Sequence, residues 1–486
     1  MNELQVLDTT LRDGMQGLEI NYSLEDKLQI AHALDDLRID YIEGGFPLSN
    51  EKEAAFFKEV GNSRFNHAKV MAFGSTRRPG GSADSDPHVR ALLEAETPGV
   101  VIVGKTWIAH VDKVLRTDGE ENLRMISDSI SFLKKEGREV IFDLEHFFDG
   151  YRDNPEYAIR VLETGTEAGA NVLCICDTNG GTLPSEVARI MSELPQPRLA
   201  PLGGHFHNDC GTAVASSLAA VEAGAIQIQG TINGWGERSG NADLCVFIPN
   251  AVLKMNHKPA CASQLKHLTR ISRFVAEKAN IIPDKRQPFV GAAAFSHKAG
   301  QHADVIAKAE TLIEHIDSSL VGNRRHILLS ELAGKSTVIE KLSKYGEFGK
   351  NDSVVKDLVE LLKIKERDGY EYEAAEASFD LLVRKALKKY EPLVELRNYH
   401  LESYKAYQTP SKTVGRIFMR VHNRELMGAA VGTGPVETLD HALRDALAPH
   451  YPFIGKIGLT DYRVRVLNPE RASAAKVRVF ITSTDH

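Results

Sequence analysis

From Leu4 onward, short apolar runs rich in β-branched residues alternate with stretches whose apolar residues recur at helical spacing. The runs are Leu4–Asp8, Tyr41–Gly45, Val70–Ser75, Val100–Lys105, Val140–His146, Val172–Thr178, Gly203–Asn208 and Ile226–Asn233. Each ends in polar or glycine residues, and the intervals are long enough for a crossover helix. The first interval shows the logic. Ser23-Leu-Glu-Asp26 reads as a variant capping box, after which Leu28, Ala31, Leu34 and Leu37 mark one apolar helical face. Asn122–Glu136, Pro155–Ala168 and Pro184–Leu194 repeat the pattern, the last with Pro just inside its start. Eight strands alternating with helices predict an α/β fold, a (β/α)8 TIM barrel over residues 1–270. An open doubly wound sheet would also alternate, but it often carries a glycine-rich loop after its first strand. Here that loop carries charge, and polar residues cluster at the C-terminal end of nearly every strand, where barrel active sites lie.

Beyond residue 270 the rhythm changes. Residues 281–300 look like loop, and the chain from about 304 to 394 reads as mostly helical, with Val354–Lys363 and Ala374–Lys389 as clear segments. Residues 271–400 are therefore expected to form helical linker subdomains. A small α+β domain is expected over 411–486. Val414–Val421 and Leu426–Val431 flank the polar turn His422-Asn-Arg-Glu425 as a hairpin. An amphipathic helix, Val436–Leu447, and two further strands, Asp461–Val466 and Ala475–Thr482, complete it.

Composition narrows the class without changing the architecture. Of 486 residues, 42% are hydrophobic and 26% charged, as in globular proteins. A formal charge of −7 leaves no basic footprint for nucleic acid. No secretory signal and no run long and apolar enough for a membrane span is visible. Five cysteines without zinc-ribbon spacing point to a reduced, cytoplasmic protein. Cys174 and Cys176 would share one strand face and read as packing residues.

The chemistry gathers at the strand ends. His205-x-His207 on a strand puts two imidazoles on one face, and Asp13 after the first strand offers a carboxylate. Asn241, after the eighth strand, could add an oxygen. Such a mixed O/N set suits a divalent ion, Mn²⁺, Zn²⁺, Mg²⁺ or Co²⁺, which would polarise a carbonyl. Arg12 beside Asp13 fits a carboxylate clamp. Glu43, Glu145, His146 and Thr178 also fall at strand ends, either as acid/base groups or as buried partners of their neighbours. The glycines of Gly230–Gly240 suit a phosphate site or simply tight turns, and His297-Lys-Ala-Gly-Gln-His302 reads from spacing alone as a polar loop.

Together the stretches Asp8-Thr-Thr-Leu-Arg-Asp-Gly14, His205-Phe-His-Asn-Asp209, Gly230-Thr-Ile-Asn-Gly234 and Gly236-Glu-Arg-Ser-Gly-Asn-Ala242 resemble the DRE-TIM metallolyase superfamily. Within it they resemble the acetyl-CoA-dependent condensing enzymes of the citramalate and 2-isopropylmalate synthase family. Ile39–Gly45, Phe73–Arg78, Glu145–Gly150, Cys176–Gly181 and Val321–Arg325 fit the citramalate branch, so the resemblance runs over nearly the whole chain. It implies Claisen condensation of acetyl-CoA with a small 2-oxo acid, with pyruvate giving citramalate as the first choice. It also implies a domain-swapped homodimer and a C-terminal domain of regulatory type. It makes Asp13, His205, His207 and Asn241 metal ligands, Arg12 and Thr178 binders of the 2-oxo acid, Glu145 the base and His302 a catalytic residue. The sequence departs from the pattern at Ile313, where the family has tyrosine, at Phe46, where tryptophan is expected, and in a shortened C-terminal domain. These departures keep open another acceptor, such as phosphonopyruvate. A lyase of the hydroxymethylglutaryl-CoA type and a non-catalytic effector-binding protein are the readings from other classes.

Overall fold

A computed structural model of the chain describes residues 4–195, 199–297, 314–327, 338–339, 342–349, 351–370, 372 and 375–485. The eight runs form eight parallel strands: β1 (Gln5–Asp8), β2 (Tyr41–Gly45), β3 (Lys69–Ser75), β4 (Gly99–Lys105), β5 (Glu139–Glu145), β6 (Val172–Asp177), β7 (Leu202–Phe206) and β8 (Gln227–Gly230). Each pairs with the next, and β1 also pairs with β8, Val6 opposite Ile228, so the barrel closes. Closure leaves no open sheet edge. The fold expectation is met in its element types and order.

Strand alternation sorts the side chains. Val6, Ile42, Val100, Phe142, Ile175 and Ile228 face outward into the large core shared with the surrounding helices. Leu7, Tyr41, Met71, Val101, Ile141 and Cys174 fill the barrel interior. Full burial of a side chain such as Phe142 or Ile126 contributes about 2 kcal/mol. The helix α1 (Leu24–Asp36) starts as the sequence predicts. Ser23 Oγ accepts from Asp26 N–H at 3.1 Å, and the Asp26 carboxylate accepts from Ser23 N–H at 3.2 Å. Of the five cysteines, Cys174, Cys176, Cys245 and Cys261 are buried and Cys210 is exposed.

The chain divides into two units. The first runs to Ser296 and includes Glu314–His326; the second takes the chain from Ile327 onward. In the second, helices Ser353–Arg367 and Glu376–Ala386 enclose a small core that includes Val355, Leu358, Phe379 and Val383. A three-stranded antiparallel sheet follows: Glu395–Tyr404, Lys412–Val421 and Arg424–Gly432. Helix Pro435–Leu447 packs on it, Ala442 and Ala446 against Ile417 and Met419. The approach is so close that a Cβ on Gly428 would run into the Ala442 carbonyl. Strands Gly458–Val466 and Val477–Thr484 make a separate antiparallel pair. The sequence reading did not foresee Glu395–Tyr404, because that strand shows no buried face. No helix among the described residues is long and apolar enough to cross a membrane.

Candidate active site

Parallel strands deliver their C-terminal ends to one mouth, and the predicted residues meet there. Asp13 follows β1 within a short turn. His205 lies in β7 and His207 just past it, and the backbone of His207 bridges to Asn241 in the loop after β8. Asp13 Oδ2 lies 3.2 Å from His205 Nε2 and 3.9 Å from His207 Nε2, and the two imidazole nitrogens are 3.4 Å apart. All three side chains are buried. Asn241 joins the group by donating from Nδ2 to Asp13 Oδ2 at 2.8 Å.

The electrostatics favour a cation. Burial alone would raise the Asp13 carboxyl, but Arg12 and His205 outweigh it and hold Asp13 well below the usual carboxylate range. Burial, with His205 beside it, pushes His207 down to about 3, which leaves it a neutral ligand. Asp13 Oδ1, His207 Nδ1 and Asn241 Oδ1 are buried without hydrogen-bond partners. Orphaned polar atoms of this kind are costly unless something unseen satisfies them. The Asp13 carboxylate, the Nε2 atoms of His205 and His207 and the Asn241 amide converge as a set that fits a divalent ion. Turning the Asn241 amide over would present its oxygen to that cluster.

Arg12 is fixed from three sides. Its Nε donates to Glu43 Oε2 at 2.6 Å, its Nη1 lies 3.4 Å from Asp13 Oδ2, and its guanidinium sits 4.1 Å from the centroid of the Phe73 ring. Burial would lower its pKa, but the charges of Glu43 and Asp13 raise it above the ordinary value, so it stays a cation. Glu145 closes β5 and pairs with Lys105, which closes β4. The backbone at His146 is left-handed, φ 54°, and its N–H donates to Thr178 Oγ1 at 2.8 Å. Arg238 ties the last loops together, donating to Asp209 at 2.9 Å and to the Thr178 carbonyl at 2.7 Å. Arg12, Asp13, His205, His207 and Asn241 thus form one connected cluster, while Glu145 and Thr178 stand at the neighbouring ends of β5 and β6. His302 and Ile313 lie outside the described residues. Phe46 packs edge-on to Phe73, centroids 6.4 Å apart.

The sequence reading did not single out Lys105 or Phe73. The inward positions of Lys105, at the end of β4, and Phe73, two residues before the end of β3, were available from strand alternation, but their partners were not.

Residues 3–275 match the HMGL-like family, residues 289–368 the homocitrate synthase post-HMGL domain-like family, and residues 373–486 the LeuA allosteric (dimerisation) domain. The chain is 45% identical to an (R)-citramalate synthase of Aquifex aeolicus, over 99% of this chain and 92% of that one. It is 43% identical to one of Geobacter sulfurreducens, over 100% and 92%. A probable 2-isopropylmalate synthase of Methanosarcina mazei is 30% identical over 98% of this chain and 89% of its own. Among solved structures, an HMG-CoA lyase of Bacillus subtilis superposes with a TM-score of 0.49 at 19% identity, covering 58% of this chain and 95% of that one. The chain belongs to the HMGL-like family and, from end to end, to the same family as the (R)-citramalate synthases.

Proposed function

We propose that this metal-dependent acyltransferase condenses acetyl-CoA with pyruvate to give (R)-citramalate and releases free CoA. The observation that carries the reading is the likeness to (R)-citramalate synthases over the whole chain, the C-terminal unit included. In this reading chemistry belongs to residues 1–270, residues 271–400 serve as linker, and residues 411–486 serve as a regulatory-type domain. The LeuA-type C-terminal segment supports a homodimer.

Asp13, His205 and His207, with Asn241 as a further oxygen donor, would hold the divalent ion. When bound, that ion supplies Lewis-acid chemistry to the keto group of the 2-oxo acid. The chain's own side chains do the rest. A guanidinium has five N–H donors, more than Glu43 and Asp13 take from Arg12, so Arg12 can also bind the acceptor's carboxylate. Thr178 Oγ1 already accepts from His146 N–H, which leaves its own O–H to donate to the same carboxylate. In this reading Glu145, at the end of β5, takes a proton from the acetyl methyl group, a weak acid that needs a base. Lys105 holds Glu145 at the strand end for that task. In this reading the resulting enolate carbon attacks the keto carbon, and the Arg12 guanidinium, bound to the adjoining carboxylate, would stabilise the charge that develops there. Hydrolysis of the thioester adduct releases CoA and draws the reaction forward.

The test is acetyl-CoA-dependent CoA release with added Mn²⁺ or Mg²⁺ against pyruvate, 2-oxoisovalerate, 2-oxoglutarate, oxaloacetate and phosphonopyruvate. Pyruvate is expected to give the highest kcat/KM. A higher value for another member would overturn pyruvate as acceptor. Cleavage of a 3-hydroxyacyl-CoA without any condensation would replace the synthase by a lyase.

A further inference from the structure

One buried polar group inside the barrel has no part in the chemistry above. Gln229 lies in β8, in register with His205 of β7. Its Oε1 accepts from His205 Nδ1 at 2.9 Å, and its Nε2 donates to Asp143 Oδ1 at 2.8 Å, across the barrel interior on β5. Gln229 is wholly buried and Asp143 nearly so. Cys174, its register partner on β6, stands beside Asp143. Asp143, Cys174 and Cys176 themselves come close enough to suggest a second ion site. Asp143, however, is engaged by Gln229, and the Cys176 thiol donates to the Cys174 carbonyl at 3.5 Å, as befits a scaffold.

The direction of these bonds matters. An amide has two ends, one accepting and one donating, and a buried amide must match both. Asp143 offers an accepting oxygen whether or not it carries a proton. That draws the Gln229 NH2 toward β5 and leaves its oxygen toward β7. The oxygen can only accept, so His205 must carry its proton on Nδ1. Whenever His205 is neutral, as a ligating imidazole must be, the lone pair then sits on Nε2, the atom that faces Asp13 and His207. Were the amide reversed, Nδ1 would have to accept, Nε2 would carry the proton, and the imidazole would present hydrogen to the cluster.

We infer that Gln229, oriented by Asp143, is a positioning residue that fixes the His205 tautomer and ring angle and so sets the affinity of the Asp13–His205–His207 site for its divalent ion. The inference rests on the metal reading above. Partners that hold the far nitrogen of a ligating imidazole commonly change metal affinity by about 10- to 100-fold when removed.

The test is Mn²⁺ binding to the metal-stripped full-length protein, by titration calorimetry, for wild type, Asp13→Ala, Gln229→Met and Gln229→Glu. Gln229→Met keeps the length of the arm but removes both polar ends. It should weaken Mn²⁺ binding about 10- to 100-fold, with activity regained when Mn²⁺ is raised. Gln229→Glu keeps an acceptor for Nδ1 and can share a proton with Asp143, so it should bind Mn²⁺ close to wild type. If Gln229→Met does not fold, Gln229→Asn, too short to reach His205, takes its place. Wild type that binds no more Mn²⁺ than Asp13→Ala would overturn the metal reading itself. Wild type that binds, with Gln229→Met equal to it or Gln229→Glu as weak as Gln229→Met, would overturn the role of Gln229 alone.

Discussion

Asp8 ends β1 fully buried, with its carboxylate accepting from Thr10 N–H and Thr10 Oγ1, both at 2.9 Å. Burial pushes its carboxyl up to about 7 from an ordinary 3.8, although the Thr10 bonds act the other way. Between those values the folded chain holds a proton that the unfolded chain has lost. The stability tied to Asp8 is therefore full at low pH and disappears as pH rises through its folded value, a loss of about 4 kcal/mol at most. Asp8→Asn keeps an acceptor for Thr10 N–H but cannot titrate. Its urea midpoint should gain on that of wild type between about pH 4 and about pH 8. A constant gap between the two would remove Asp8 as a source of pH dependence. At this scale much of the site could be read in advance. His205 and His207 share a strand face by spacing alone, and Asp13 follows a strand that must open at the same mouth. Gln229 could not be read in advance. Its role depends on the register of β7 against β8 and on a hydrogen bond crossing to β5, and no spacing within one segment encodes either.

Helix α1 shows how local chemistry fixes an element. Ser23 and Asp26 satisfy one another's backbone N–H groups, so two of the helix's orphan donors are matched before any tertiary contact forms. Ser23→Ala should cost about 1 kcal/mol, read as a lower urea midpoint with activity unchanged at saturating substrate. An unchanged midpoint would mean that solvent satisfies this end of the helix equally well. The capping box was legible because its atoms lie within four consecutive residues. Strand Glu395–Tyr404 was not, and the reason is physical. Its partner Lys412–Val421 alternates buried residues with half-buried or exposed ones, whereas Glu395–Tyr404 is exposed at nearly every position. A strand recruited by pairing, without a face of its own to bury, leaves no period-two signature.

On the scale of the whole molecule, the four proposed ligands come from β7 and from the segments just after β1, β7 and β8, and β1 meets β8 only because the barrel closes. An ion held there bridges the first and last strands. Anything that binds only the folded chain stabilises it by mass action, about 2.7 kcal/mol at a hundredfold excess over Kd. Chelation should accordingly lower Tm and abolish CoA release together, and Mn²⁺ should restore both. Activity that survives exhaustive chelation would separate the fold from the chemistry proposed for it. The placement of the cysteines carries a practical consequence of another kind. The proposed reaction liberates a thiol, and its simplest continuous readout is a disulfide dye that colours when a sulfhydryl attacks it. Four of the chain's own sulfurs lie buried, Cys174 and Cys245 with their ionisation pushed far up by burial, and only Cys210 is exposed. Such a dye meets one accessible sulfur per folded chain at the start, and the colour that accumulates afterwards is product.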